Sequence, residues 1–112
     1  MPHIIFEYTQ TLETSVDVPN LLTQLHSTLA HQGVPVERIK TRGIPLTHNV
    51  VGDAGRKGKL AHITLRLLEG RDVPTKQQYG EALYNVMKDA LLSTGCSLTL
   101  EVRDMAKDTY IL

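Results

Sequence analysis

Apolar and polar positions alternate almost from the first residue. Ile4, Ile5, Phe6 and Tyr8 stand among polar neighbours, and their aromatic and β-branched character fits a half-buried strand over His3 to Tyr8. A polar stretch, Thr9 to Ser15, separates this strand from Asp17-Val18-Pro19. That triplet reads as a helix start: the aspartate can cap, and proline is tolerated in the first turn, where its missing N–H has no partner to lose. Leu21, Leu22, Leu25 and Leu29 then recur at helical spacing until Gly33, with Pro35 beyond it. Val36 to about Leu46 reads as a second strand. Alternation there puts Arg38, Lys40 and Arg42 on one face and Ile39 and Thr41 on the other, and Pro45 predicts a strand end or a sheet edge.

The pattern then begins again. Gly52 to Lys59 is a basic, glycine-containing loop, read as solvated chain. Leu60 to Leu68 alternates cleanly, with Ala61, Ile63, Leu65 and Leu67 on one side and His62, Thr64 and Arg66 on the other. Gly70 turns the chain into a second Asp-Val-Pro signal, at Asp72. Tyr79, Ala82, Leu83, Val86, Met87, Ala90 and Leu91 follow as a wide helical stripe, and Gly95 ends it. Ser97 to Val102 is the last strand, and Arg103 to Leu112 forms a short tail.

The chain is therefore a repeat, with halves of about 1–48 and 60–103. The strands start 59 residues apart and the Asp-Val-Pro signals 55 apart, so the halves differ mainly in the first loop. Strands joined through a helix run parallel with a right-handed crossover. Two such βαβ units give an α/β (α+β) fold: a four-stranded sheet with both helices on one face, in one domain spanning 1–112. The other face carries apolar residues too in this reading, so oligomerisation is the economical cover. A ferredoxin-like monomer with a wet second face satisfies the same periodicity.

Composition narrows the function. With 112 residues, 41% hydrophobic and 21% charged, the chain is ordinary and globular. Twelve basic residues balance twelve acidic ones, which argues against a nucleic-acid partner. No apolar run spans a bilayer and the start lacks the features of a signal peptide, so no membrane association is expected and the cytoplasm is the default compartment. The lone Cys96 reads as a packed or edge residue. Five scattered histidines offer no metal-binding spacing, and there is no phosphate-binding glycine loop or serine elbow. Neither metal nor cofactor is expected.

Met1-Pro2-His3-Ile4-Ile5-Phe6-Glu7 runs straight into a strand. Together with Ile39-Lys40-Thr41-Arg42, His62-Ile63-Thr64-Leu65-Arg66, Gly70-Arg71, Gln77-Gln78 and Gly80-Glu81, it resembles the tautomerase (MIF-like) superfamily. Within that superfamily the sequence is most similar to the 5-carboxymethyl-2-hydroxymuconate delta-isomerases, over nearly the whole chain to about Val102.

The resemblance implies a cofactor-independent isomerase acting in aromatic catabolism, assembled as a homotrimer. Its general base would be Pro2, and its anionic substrate would be held by Lys40, Arg42 and Arg71. The reaction it implies is an allylic proton shift, in which Pro2 takes a proton from a 2-hydroxymuconate dienol and returns one at another carbon. The chemistry suits the residue once Met1 is removed, because Pro2 is then a secondary amine. An apolar pocket and nearby cations disfavour its protonated form and poise it near neutrality.

Lys40 departs from the family arginine: it keeps the charge but loses the bidentate fork. The tail is also shorter than in the isomerases. His3 points away from Pro2 across the pleat, and His62 reads as a structural hydrogen-bonder. A keto–enol tautomerase with another substrate, or a non-catalytic trimeric binding protein of the same fold, stands as the alternative reading.

Overall fold

The computed structural model describes every residue from Met1 to Leu112. Strand β1 (His3–Thr9) leads through a 3-10 turn at Gln10–Thr14 into helix α1 (Val18–His31), and the chain returns as β2 (Lys40–Leu46). The second half repeats the plan as β3 (Leu60–Leu68), α2 (Val73–Leu91) and β4 (Ser97–Met105). Both Asp-Val-Pro signals start helices. Asp17 accepts a hydrogen bond from the Asn20 N–H at 3.1 Å, and Asp72 accepts one from the Thr75 N–H at 2.9 Å. Each cap satisfies an N–H that the helix leaves unpartnered, and each proline occupies a first-turn position where it costs no bond.

The strand order is β2-β1-β3-β4. β1 pairs parallel with β2, β3 pairs parallel with β4, and the two halves meet along an antiparallel β1–β3 seam. Ile4, Phe6, Ala61, Ile63, Leu65 and Leu67 are at most 1% exposed. They pack beneath Leu21, Leu25 and Leu29 of α1 and Leu83, Met87 and Leu91 of α2 in one contiguous cluster of 17 buried residues. Burying a leucine this fully contributes about 1.5–3 kcal/mol. Helix α2 lies close to β4 because Gly80 has no side chain. A Cβ there would stand 3.2 Å from both Leu100 Cδ2 and Val102 Cγ2.

Three local readings need correction. Val36–Arg38 forms a 3-10 turn rather than strand, so β2 begins at Lys40 and Arg38 does not share its face. Pro35 before the turn fixes φ at −55° and initiates it. The polar stretch after β1 contains Leu12, 1% exposed, as a plug for one end of the core. The last strand continues to Met105, three residues beyond the expected end.

The face away from the helices is also more polar than anticipated. Register places His3, Glu7, Lys40, Arg42, His62, Thr64, Arg66, Thr99, Glu101 and Arg103 there, while the apolar residues of this face are Ile5 and Ile44 and, toward its rims, Leu46, Leu60, Leu68 and Met105. Pro45 sits in β2, which is an edge strand as its proline suggested. No helix is long and apolar enough to cross a membrane.

Candidate active site

Three chain segments converge at one end of the sheet: the start of β1, the start of β2 and the turn from β3 into α2. The convergence follows from register. His3 pairs with Lys40 on one side and Arg66 on the other, so Pro2 lies between the β2 start and the β3 end. The Lys40 N–H donates to the Pro2 carbonyl at 3.1 Å and pins the residue to β2. Alternation turns the Pro2 ring toward the helix side, and it is less than 2% exposed.

Beyond β3, Gly70 takes φ +121°, a value that favours glycine, and reverses the chain. Arg71 follows, immediately before the Asp72 cap of α2. Its guanidinium stands over the Tyr79 ring, 5.9 Å from the centroid. This contact steadies a long side chain at the positive end of a 19-residue helix, a place that suits anions.

The N-terminal amine, here on Met1, reports the electrostatics of this corner. Burial lowers its pKa from the ordinary 8.0, and Arg71, Arg38 and Lys40 lower it further, in that order. Each effect has the same origin: desolvation and neighbouring cations both penalise the ammonium form. Of the residues singled out in the sequence, Pro2, Lys40 and Arg71 thus come together.

Arg42 turns to the other face of the sheet. Its Nη1 donates to His3 Nδ1 at 3.0 Å on the open face. His3 turns away from Pro2 as expected, and its Nε2 reaches the Tyr110 hydroxyl at 2.7 Å. Burial, then Arg42, Lys40, the N-terminal amine and Arg66, hold the His3 pKa below the ordinary 6.5. His62 hydrogen-bonds Thr99 Oγ1 at 2.7 Å and lies 3.5 Å from Glu101, well removed along the face.

Two participants were missed in the sequence. Arg38 joins the corner because the 3-10 turn swings it off the strand, and Pro35 was the available signal. Tyr110 folds back from the tail, where the Thr109 and Tyr110 N–H groups both bond the Ala106 carbonyl. An isolated aromatic near the terminus was its only trace in the sequence.

The arrangement can hold a small anionic molecule beside a desolvated N-terminal nitrogen, with cations ready to receive developing negative charge. Comparison with known proteins gives the family. The family profile of 5-carboxymethyl-2-hydroxymuconate isomerase matches residues 2–111. The 5-carboxymethyl-2-hydroxymuconate Delta-isomerase of Escherichia coli is 30% identical over 89 residues, covering 79% of this chain and 71% of that protein. A 5-carboxymethyl-2-hydroxymuconate isomerase structure from Deinococcus radiodurans R1 superposes with TM-score 0.87 at 25% identity, over 99% of this chain and 87% of that one. A fused 4-OT symmetric trimer superposes with TM-score 0.72 at 18% identity, over 99% and 89%, and shows the shared fold alone. Two capped βαβ repeats with Pro2 at their charged corner, matched almost end to end, place this chain in the 5-carboxymethyl-2-hydroxymuconate isomerase family, as an isomerase of the tautomerase fold.

Proposed function

We propose that the chain, once Met1 is removed, moves a proton within an unsaturated 2-hydroxy/2-oxo di- or tricarboxylate such as 5-carboxymethyl-2-hydroxymuconate, with the Pro2 amine as general base. The observation that carries this reading is the lowered pKa of the N-terminal amine in a corner ringed by Arg71, Arg38 and Lys40. Removing one residue transfers that amine to Pro2, whose ring is buried and whose carbonyl is already tied to β2.

In the reaction, the Pro2 lone pair takes the proton of the 2-hydroxyl. The O–H bond breaks, its electrons spread over the conjugated chain as a dienolate, and Arg71, with Lys40 and Arg38, stabilises that charge. The pyrrolidinium then returns the same proton to a chain carbon, leaving a 2-oxo product. Substrate and product are isomers, so no electron donor, acceptor or water enters the balance. Arg42, bound to His3, is left out of the charge-stabilising set.

A Pro2→Ala variant keeps a primary amine after processing but loses the rigid ring, and an Arg71→Gln variant loses the leading cation. Each is expected to lower kcat/KM for the dienol by about 10²-fold or more, followed as loss of its ultraviolet absorption. Full activity in Pro2→Ala would remove Pro2 from the role of base.

The reading includes a homotrimer. Both sheet edges, β2 and β4, lack partners within the chain, and natural proteins seldom leave long edges open. A groove of about 660 Å³ along β4 and α2, where Tyr84, Leu100 and Val102 meet Lys76, Gln77 and Glu81, offers a partly apolar seat for a neighbouring copy.

A further inference from the structure

The open face of the sheet carries its own concentration of charge. Register sets Lys40, His3, Arg66 and Arg103 in a single row, one residue from each of β2, β1, β3 and β4. Like charges directly opposite one another on neighbouring strands destabilise a sheet. Little within the chain offsets this row. Glu101 approaches Arg103 at 3.8 Å, and neither Arg66 nor the adjacent Arg42 forms an ion pair.

Against the two central members of this row, His3 and Arg66, lies a cleft of about 390 Å³, lined also by Arg42, Met105, Thr109 and Tyr110 among others. The volume falls within the range of small-molecule sites. Its hydrogen bonding is directional. Arginine can only donate, so His3 Nδ1 accepts from Arg42 and the imidazole carries its proton on Nε2. Nε2 therefore donates to the Tyr110 oxygen, and the tyrosine's own hydrogen is free for an acceptor in the cleft. Two guanidiniums without carboxylate partners and one free hydroxyl donor ask for oxygen anions. The Met105 side chain beside them suits a carbon skeleton between the anionic groups.

We propose that this cleft binds a small di- or tricarboxylate, held by Arg42 and Arg66 and by the Tyr110 hydroxyl, on the opposite side of β1 from Pro2. The site is separate from the catalytic corner. Its cations face away from the Pro2 ring, and it requires neither Met1 removal nor the proposed reaction. Lys40 stands between the two sites, since it acts on both the amine and His3. An anion in the cleft draws the Arg42 guanidinium to itself and frees His3 Nδ1 to take a proton, so the bound anion raises the His3 titration midpoint.

Citrate titrated into the full chain, followed by calorimetry and by His3 imidazole NMR across pH, tests the site. Citrate is expected to bind and to raise the His3 midpoint. Arg66→Gln should weaken it about tenfold, the worth of one charge-assisted contact. Tyr110→Phe should weaken it severalfold, and Arg71→Gln should leave this binding in place. The Tyr110 variant keeps the test informative if Arg66→Gln fails to fold. Absence of citrate binding, or citrate affinity unchanged in both the Arg66 and Tyr110 variants, would overturn the proposal. Loss in Arg71→Gln equal to that in Arg66→Gln would assign the binding to the catalytic corner instead. Inorganic phosphate binding as tightly as citrate would overturn the carboxylate assignment.

Discussion

Arg71 and Arg38 reach the N-terminal amine from different directions, one from the end of β3 and one from the turn before β2. Both favour the neutral amine, Arg71 more strongly. Replacing either with glutamine should therefore raise the amine pKa, because less positive charge opposes protonation. The acid limb of the kcat/KM–pH profile is expected to move to higher pH, further for Arg71→Gln than for Arg38→Gln. Identical profiles for wild type and both variants would detach these cations from the base.

His3 makes a separate prediction about stability. Its folded pKa lies below the unfolded value of 6.5, so at pH values between the two the unfolded chain binds more protons. Stability then rises with pH through that window and is lost as pH falls below about 6.5. Urea unfolding in pH steps should show this slope, and His3→Gln should flatten it. Lys40 and Arg71 were placed with Pro2 by the family resemblance and not by the pattern of the chain. The partnership of Arg42 with His3 was not legible in the sequence, because strand alternation gives a face but no rotamer.

The helices were the most readable elements, since each combines a cap, a proline and a leucine-bearing stripe that agree with one another. Leu25 lies at the centre of the α1 stripe and is fully buried. Leu25→Ala should lower stability by about 2–5 kcal/mol in denaturant unfolding, from lost transfer energy and the cavity left behind. Gly80 tests the other helix. A valine there would press on Leu100 and Val102, which already sit 3.2 Å from the Cβ position. Gly80→Val should cost about 1–3 kcal/mol or more by the same measurement.

The elements misread are those that periodicity does not encode. A three-residue 3-10 turn at Val36–Arg38 is too short to show a period, and it was absorbed into the strand that follows. Leu12 is a single apolar residue in a polar stretch, and only the closed end of the core gives it meaning.

For the whole molecule, the internal repeat was enough to yield the four-stranded sheet with both helices on one side. The parallel pairing within each half followed from the crossover rule. The central β1–β3 pairing and its register were not available from periodicity, although that register brings the β3 end beside Pro2. The need for cover was inferred from two apolar faces, whereas the observed open face is largely polar and basic at one end. The argument for assembly therefore shifts to the unpaired edges of β2 and β4 and the groove beside Leu100 and Val102. Sedimentation equilibrium of the intact protein should return three copies. Replacing Leu100 with glutamate should lower that mass, and a wild-type monomer at micromolar concentration would contradict the assembly.

The central claim is that a proline amine, freed of Met1 and depressed in pKa, is the base. It is tested most directly by an NMR titration of the Pro2 nitrogen in 15N-proline-labelled protein purified after processing. A titrating secondary amine with its midpoint below that of the same Pro2 in the urea-unfolded chain is the predicted result. A Pro2 nitrogen that remains an amide, or one that titrates at or above that value, would contradict the account.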